Sequence, residues 1–415
     1  MLVLEGRIFY NGELRQGAVG IEDGKIVTVG KIMRGDRNID LGDRIILPGA
    51  VDPHVHFRDP GMTQKEDFAS GSASALHGGV TCVLDMPNTK PPVTDVRSLE
   101  EKKRAVRGRS FTDHGLFAAL TPGCDASALA PKVCGFKLFM GSTTGDILMN
   151  DDREIYKAMR SVAPTGKRVS VHAEDDSLIA KSEEKNNRDH LRNRPVSAEH
   201  TAVNRLSAYK GMRVNICHVT DATSAALASS FGFTTEVTMH HLFFADSVSD
   251  SALYKVNPPL RDVSTRDALF KAFMNGKITM FGSDHAPHTA DEKSRTYNDA
   301  PSGIPGTGTY MPIMMDMVKK GKIPIDRLVR MSAAAPADAF GINKGVIEKG
   351  RDADLAVYDM RLSKKIRAKD LHSRSAYTPY EGWDAIFPDM VFVRGELQLK
   401  DGEPCGDRIG KDIYE

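Results

Sequence analysis

The chain has 415 residues, which is enough length for one barrel-sized domain and a smaller one. Its 56 Lys and Arg against 55 Asp and Glu give a formal net charge of +1. The balanced charge and the lack of an apolar run near the ~20 residues of a membrane span argue against nucleic acid or a membrane as partner. Five cysteines without a Cys-x-x-Cys pair, and a start that lacks signal-peptide features, lead us to expect a cytoplasmic globular protein.

The N-terminal segment predicts a small β unit. Its short alternating or β-branched runs are separated by Asn11-Gly12 and Asp23-Gly24, which are strong hairpin signals. A similar β pattern returns at Gly345–Asp359 and at Met390–Leu399. We therefore expect residues 1–48 and 342–415 to pair into one small β-sandwich domain, beside a catalytic domain formed by residues 49–341.

Strand-like and helix-like stretches alternate through the middle of the chain. The predicted strands are Ile45–Val51, Val80–Asp85, Gly115–Leu120, Phe136–Met140, Arg168–His172, Arg213–His218, Phe233–Met239 and Lys277–Gly282. The stretches between them include amphipathic helices, for example Thr265–Asn275 with Ser264 as its predicted N-cap. Eight such βα units predict an α/β protein with a (β/α)₈ TIM barrel. An open doubly wound sheet would need a glycine-rich phosphate turn after its first strand, which the sequence lacks.

Polar residues close several predicted strands, and active sites of barrels lie at these carboxyl ends. After the first strand, His54, His56 and Arg58 alternate, so an extended chain would project all three to one side. The residues that close strands five, six and eight include His172, His218 and Asp284. Four imidazoles and a carboxylate exceed the needs of one zinc ion and suit a pair of metal ions, typically ~3.5–4 Å apart.

Lys137 is an unusual residue because it lies inside an apolar strand, between Phe136 and Leu138. Burial there would disfavour its ammonium form, and a neutral amine can add carbon dioxide to give a carbamate that bridges two metal ions. The alternative is a lysine whose ammonium reaches solvent at the strand end. His240 and His241 follow strand seven, and we favour a structural or outer role for them over metal ligation.

These motifs resemble those of the dihydroorotase family, in the hydantoinase-like branch of the amidohydrolase superfamily. The resemblance covers essentially the whole chain and is carried by Asp52–Gly61, Asp85–Thr89, Phe136–Met140, Val171–Glu174, Cys217–Val219, Val256–Arg261, Asp284–His288 and Gly350–Leu355. It implies two divalent metal ions, with zinc expected. His54 and His56 would hold the more buried ion, His172 and His218 the other, and N6-carboxylated Lys137 would bridge the two.

The resemblance also implies a reaction, the reversible cyclisation of N-carbamoyl-L-aspartate to (S)-dihydroorotate in de novo pyrimidine (UMP) biosynthesis. A metal-bridged hydroxide would attack the ring amide in the reverse direction, with Asp284 as metal ligand and acid/base. The implied substrate-binding residues are Arg58, Asn88 and His288 for the carboxylate, Asn257 for the ring, and Ser302 and Gly303 for the closing backbone.

Other activities share the metal motifs. Allantoinases and dihydropyrimidinases or hydantoinases are the nearest alternatives, and a non-catalytic scaffold of the same fold is a more distant one. We expect a small-molecule substrate and neither nucleic acid nor membrane as partner, and a homodimer is kept open. The glycine-flanked loop Gly141–Asp146 is either a lid over the site or an ordinary βα loop.

Overall fold

The computed structural model describes residues 1–143 and 147–415, so the predicted lid loop lies partly outside the described residues, which omit Thr144, Gly145 and Asp146. In chain order, the strands are β1 (Leu2–Tyr10), β2 (Glu13–Glu22), β3 (Lys25–Gly30), β4 (Arg37–Pro48), β5 (Ala50–Val55), β6 (Val80–Asp85), β7 (Asp113–Ala119), β8 (Gly135–Phe139), β9 (Arg168–His172), β10 (Val214–Ile216), β11 (Thr234–Val237), β12 (Met280–Phe281), β13 (Leu355–Tyr358), β14 (Lys364–Lys365), β15 (Asp384–Ala385), β16 (Met390–Val393), β17 (Glu396–Lys400) and β18 (Glu403–Pro404).

Helices alternate with the central strands. The α-helices are α1 (Phe68–His77), α2 (Val96–Val106), α3 (Ala126–Leu129), α4 (Asp152–Val162), α5 (Asn187–Asn193), α6 (Val196–Arg205), α7 (Ala222–Ser230), α8 (Met239–Phe243), α9 (Val263–Met274), α10 (Ala290–Lys293), α11 (Tyr310–Lys319), α12 (Ile325–Val329) and α13 (Ala335–Phe340). Helix α9 begins one residue before Ser264, and the predicted N-cap is wrong. Asp262 caps the helix instead, because its carboxylate accepts the Thr265 N–H at 2.9 Å. Within the part of the chain that the structure describes, no helix is long and apolar enough to cross a membrane.

Strands β5 to β12 form the predicted barrel. Each strand pairs in parallel with the next one along the chain, in the order β5-β6-β7-β8-β9-β10-β11-β12. A parallel bridge between Val55 and His285, with a 2.8 Å hydrogen bond from His56 N to His285 O, joins the two ends of the sheet. The (β/α)₈ prediction is thus confirmed, and the strand ends carrying the histidines meet at one face.

The first predicted strand, Ile45–Val51, combines two strands and is wrong in that respect. Ile45 to Pro48 end β4 of a second sheet, and the barrel starts with β5 at Ala50. The chain crosses between the sheets at Gly49, where an added Cβ would lie 2.3 Å from Thr81 Oγ1. A continuous apolar run does not reveal such a crossing, because both strands are buried.

The N- and C-terminal segments share the second sheet, whose order is β18-β17-β16-β13-β4-β1-β2-β3. Antiparallel pairing of β4 with β13 joins the two segments. Side chains of the sheet, among them Leu4, Ile8 and Ile46, form an apolar core separate from that of the barrel. A buried ion-pair cluster centred on Lys344 lies between this sheet and the barrel strand β7.

Candidate active site

A cavity with about 390 Å³ of empty volume opens at the carboxyl ends of the barrel strands. Its lining contains every site residue predicted from the sequence except His288: His54, His56, Arg58, Asn88, Lys137, His172, His218, Asn257, Asp284, Ser302 and Gly303. Phe139, Thr143 and Ala286 complete the lining. Residues from seven different parts of the barrel wall thus converge because their parallel strands end at the same face.

Three of these residues have backbone conformations that side-chain-bearing residues rarely adopt. Arg58, His218 and Asp284 have φ angles of 61°, 35° and 46°, in the left-handed region. Such conformations cost about 1–3 kcal/mol each and persist where surrounding contacts hold them, often at functional sites. Next to Arg58 in the chain, the Phe57 N–H donates at 2.7 Å to the buried Asp85 carboxylate at the end of β6, which also pairs with Lys102.

His54, His56 and Asp284 form one group of potential metal ligands. The Nε2 atoms of His54 and His56 lie 3.4 and 3.2 Å from Asp284 Oδ1. On the far side of each ring, His56 Nδ1 lies 2.7 Å from Asn88 Oδ1, and His54 Nδ1 contacts the Glu236 carboxylate. Because these oxygens accept a hydrogen bond from the Nδ1–H group, each Nε2 keeps a lone pair that can bind a metal ion.

His172 and His218 form a second pair. His172 Nε2 lies 2.9 Å from Glu174 Oε2, so this nitrogen donates to the carboxylate and leaves a lone pair on Nδ1. That Nδ1 is 3.1 Å from His218 Nε2. Burial acts to raise the pKa of Glu174, but Arg194 and His172 outweigh it and lower the pKa to about 2, so the acceptor is ionised. Two ring nitrogens therefore converge at a point where a cation would satisfy both.

The charge states of the site suit a divalent cation. Burial lowers the pKa of His54, His56, His172 and His218, so all four rings are neutral ligands at neutral pH. Burial acts to raise the pKa of Asp284, but the neighbouring His54 and His56 outweigh burial and hold it well below its usual range. Four neutral imidazoles and one carboxylate in a buried cavity are a donor set that fits metal ions.

Lys137 lines the same cavity as the two groups of ligands, with 1 % of its surface exposed. Its Nζ lies 3.0 Å from Cys217 Sγ and 5.3 Å from the centre of the Phe139 ring. The ammonium therefore does not reach solvent, and the alternative of a lysine extending to water is wrong. The amine is thus enclosed by a thiol and an aromatic ring in the cavity wall.

His288 lies behind the cavity, against Arg58. Arg58 Nη2 is 3.4 Å from His288 Nε2, which itself lies 3.0 Å from the Ser302 carbonyl oxygen, and Lys65 Nζ is 3.1 Å from His288 Nδ1. Lys65 can only donate and the carbonyl can only accept, so Nδ1 carries the lone pair and Nε2 the proton. Arg58 Nη2 is also only a donor, so it is a close neighbour of His288 Nε2 and not a hydrogen-bond donor to it. Burial lowers the pKa of His288 to about 3, so the positive charge facing the cavity belongs to Arg58.

Sequence reasoning missed Glu236 as a functional residue. It lies within β11 with no exposed surface, contacts His54, and accepts the Asn215 amide N–H at 3.0 Å. A lone carboxylate inside the predicted strand Phe233–Met239 was the available signal. His241 is hydrogen-bonded through both ring nitrogens, to Thr238 Oγ1 at 2.8 Å and to the Pro258 carbonyl at 3.0 Å, which gives it a structural role.

The barrel and the buried cluster of imidazoles, carboxylate and lysine at its carboxyl face define a hydrolase of the metal-dependent TIM-barrel class. The chain belongs to the amidohydrolase family, whose profile matches residues 45–397. It is 36% identical over 422 residues to a dihydroorotase of Methanosarcina acetivorans, covering 94% of this chain and 90% of that one. A dihydroorotase of Halobacterium salinarum is 36% identical over 428 residues, with all of both chains covered.

Solved structures give the same family-level result. The L-hydantoinase (dihydropyrimidinase) of Arthrobacter aurescens superposes with a TM-score of 0.92, covering 100% of this chain and 99% of that one at 27% identity. The D-hydantoinase of Thermus sp. superposes with a TM-score of 0.91 over the same shares at 24% identity, a likeness of fold. The resemblance to hydantoinase-like amidohydrolases expected from the motifs is confirmed.

Proposed function

We propose that the protein is a dihydroorotase, which interconverts N-carbamoyl-L-aspartate and (S)-dihydroorotate in de novo pyrimidine (UMP) biosynthesis. The observation that carries the proposal is the buried guanidinium of Arg58 in the same cavity as the imidazoles and Asp284. Dihydroorotate bears a ring carboxylate, which needs a cation when it is buried. Dihydrouracil, hydantoin and allantoin rings have no carboxylate and would leave that cation unpaired. The curated relatives support the same assignment.

We propose that two divalent ions, with zinc expected, occupy the cavity. The ligands would be His54, His56, Asp284, His172 and His218, with N6-carboxylated Lys137 as the bridge. When bound, such ions supply Lewis acidity, which makes water a stronger acid and polarises a carbonyl oxygen. The burial of Lys137 in the same cavity as the four imidazoles and Asp284 supports the carbamate, because a carboxylated amine there would supply a further anionic ligand for the ions.

Asp284 is the proposed acid/base. Its low pKa makes it a carboxylate in the resting site, ready to accept the proton of the attacking water. In hydrolysis, it would pass that proton to the departing ring nitrogen as the amide bond breaks. In cyclisation the same steps run backwards, and Asp284 removes a proton from the attacking ureido nitrogen.

Arg58 is the proposed carboxylate ligand. Its Nε donates to the Pro287 carbonyl at 3.3 Å, which holds the guanidinium plane in place beside neutral His288. A fixed planar fork can donate two parallel hydrogen bonds to a carboxylate, which a lysine cannot reproduce. Asn257 and Ser302 line the same cavity and would contact the ring. Gly303 lies close to Ala286, where an added Cβ would come within 2.6 Å of the Ala286 carbonyl oxygen.

A substrate panel tests the assignment. Zinc-loaded protein, with a chelator-treated sample as control, is assayed on dihydroorotate, N-carbamoyl-L-aspartate, dihydrouracil, hydantoin and allantoin. We expect turnover of the first two. Preferred turnover of a neutral ring would support a hydantoinase or allantoinase instead, and no turnover of any compound would support a non-catalytic scaffold.

Arg58→Met sharpens this test. Loss of a buried charge pair with the substrate typically costs about 2–5 kcal/mol, so kcat/KM for dihydroorotate should fall about 30-fold or more. Residual turnover of dihydrouracil should not fall, since that ring has no carboxylate.

We also propose a cytoplasmic location and no nucleic-acid or membrane partner, and a homodimer is the assembly to test first by light scattering.

A further inference from the structure

His190 is a buried histidine that the proposed chemistry leaves unused. It lies on α5 with 3 % of its surface exposed, and it is not part of the cavity lining. Its Nδ1 is 2.8 Å from Glu184 Oε1. Its Nε2 is 2.9 Å from the Val256 carbonyl oxygen and 2.9 Å from Asn257 Oδ1. His190 therefore links a buried carboxylate to a residue of the cavity wall.

The partners of His190 determine its protonation state. The Val256 carbonyl can only accept a hydrogen bond, and so can an ionised Glu184. Burial acts to raise the pKa of Glu184, but hydrogen bonds from His190 and Lys255 outweigh it and lower the pKa to about 2. Either neutral tautomer of His190 would turn one lone pair toward an oxygen lone pair. Only the imidazolium donates on both sides.

The other groups around His190 are consistent with a cation. Lys255 Nζ lies 3.0 Å from Glu184 Oε2, the oxygen that faces away from His190, and is held by the Tyr297 carbonyl at 2.8 Å. The Tyr297 ring centre is 6.2 Å from that of His190, and its phenol donates to Asn187. Asn193 Nδ2 donates to Glu184 Oε1 at 3.1 Å. The carboxylate is thus the charged group in direct contact with the imidazole.

A protonated His190 fixes the orientation of the Asn257 amide. An amide has nearly the same shape after a flip that exchanges its oxygen and nitrogen, so its hydrogen bonds decide which atom faces the substrate. Asn257 Oδ1 accepts from His190 Nε2 and from Ser302 Oγ at 3.2 Å. Asn257 Nδ2 is left on the other side, 3.4 Å from Thr143 Oγ1 in the cavity lining.

We propose that His190 is a positioning residue, whose imidazolium holds Asn257 with its N–H₂ toward the cavity, so that Asn257 donates to a carbonyl oxygen of the substrate. Substrate binding should then weaken as pH rises and His190 loses its proton, because the ionised Glu184 keeps the remaining proton on Nδ1 and the bare Nε2 no longer favours the Asn257 oxygen. The inference rests on the proposed function in one respect, that Asn257 contacts the substrate.

The protonation state is tested first, by nitrogen NMR of protein labelled at histidine. The His190 signals are assigned as those missing from His190→Gln. We expect both nitrogens to carry protons at pH 7, and Glu184→Gln to shift the titration of His190 to lower pH. A neutral imidazole at pH 7 would overturn the proposal. This measurement needs no substrate, so it fails or succeeds independently of the proposed function.

Kinetics test the positioning role, using whichever ring in the substrate panel is turned over. In the wild type, KM should rise roughly 3- to 10-fold across the His190 titration, the effect of one hydrogen bond, while kcat changes less. His190→Gln should give a KM independent of pH over that range. His200→Gln is the matched control, since His200 is also paired with a carboxylate, Asp221 at 2.8 Å, but lies outside the cavity lining.

Two results would contradict the positioning role. One is a pH dependence of KM in His190→Gln that matches that of the wild type. The other is a fall of kcat in His190→Gln without any change in KM. If His190→Gln fails to fold, as judged by circular dichroism, Glu184→Gln replaces it. In Glu184→Gln, the rise of KM with pH should then occur at lower pH than in the wild type, by the same interval as the shift in the NMR titration. A KM profile that matches the wild-type profile refutes the link.

Discussion

Replacing Lys344 with Met should destabilise the fold strongly. The Lys344 side chain has no exposed surface, and its Nζ lies 2.8 Å from Asp113 Oδ2, 2.8 Å from Asp354 Oδ2 and 3.0 Å from Asp352 Oδ2. Burial acts to lower the pKa of Lys344, but Asp354 and Asp113 outweigh it and raise the pKa above its ordinary value.

The magnitude follows from what the substitution leaves behind. Met fills a similar volume but removes the cation, so Asp113 and Asp354 stay buried with one positive partner fewer. Breaking a buried ion pair by removing one member costs roughly 3–5 kcal/mol. The loss should appear as separation of the second sheet from the barrel, because Asp113 belongs to β7 and Asp354 precedes β13.

Urea unfolding, followed by circular dichroism and by fluorescence of the single tryptophan, Trp383, measures the effect. Lys349→Met is the control, since Lys349 is exposed and should change stability little. Adding Asp354→Asn to Lys344→Met should restore part of the loss by removing one unpaired carboxylate. A Lys344→Met protein within about 1 kcal/mol of the wild type, the range of a surface pair, would refute the reasoning.

Three further predictions concern the site and its wall. Lys137→Ala should lower the bound metal from two equivalents to one and abolish most activity, and metal analysis that still finds two equivalents would exclude the carbamate bridge. Glu236→Gln should weaken metal binding about 10- to 100-fold in a chelator competition, because an amide oxygen is a weaker acceptor than a carboxylate for the His54 Nδ1–H group, whereas the exposed Glu348→Gln should bind as the wild type does. Burial lowers the pKa of Lys293 to about 7, below the ~10.4 of an unfolded chain, so the unfolded state binds more protons between these values. Stability should therefore rise with pH above 7, by up to about 1.4 kcal/mol per pH unit, and Lys293→Met should lack that rise in urea titrations.

Much of the fold followed from local patterns. The alternation of apolar runs and amphipathic stretches gave the barrel, and strand β6 spans the residues expected for it, Val80–Asp85. The crossing at Gly49 was missed, because an apolar run does not reveal which of two sheets its halves join. The Asp262 cap was missed for a similar reason, since both Asp262 and Ser264 are suitable capping residues and backbone geometry selects between them.

The sequence by itself determined which residue types stand at the strand ends. The spacing of His54 and His56 and the position of Lys137 in an apolar strand are local properties, and strand periodicity sets the side on which such residues lie. Only the tertiary structure decided their partners. Glu236 on His54, neutral His288 behind Arg58, and His190 on Asn257 join positions 182, 230 and 67 residues apart. The reason is physical: each buried polar atom must be satisfied by whichever element folding brings beside it, and no local pattern specifies that element.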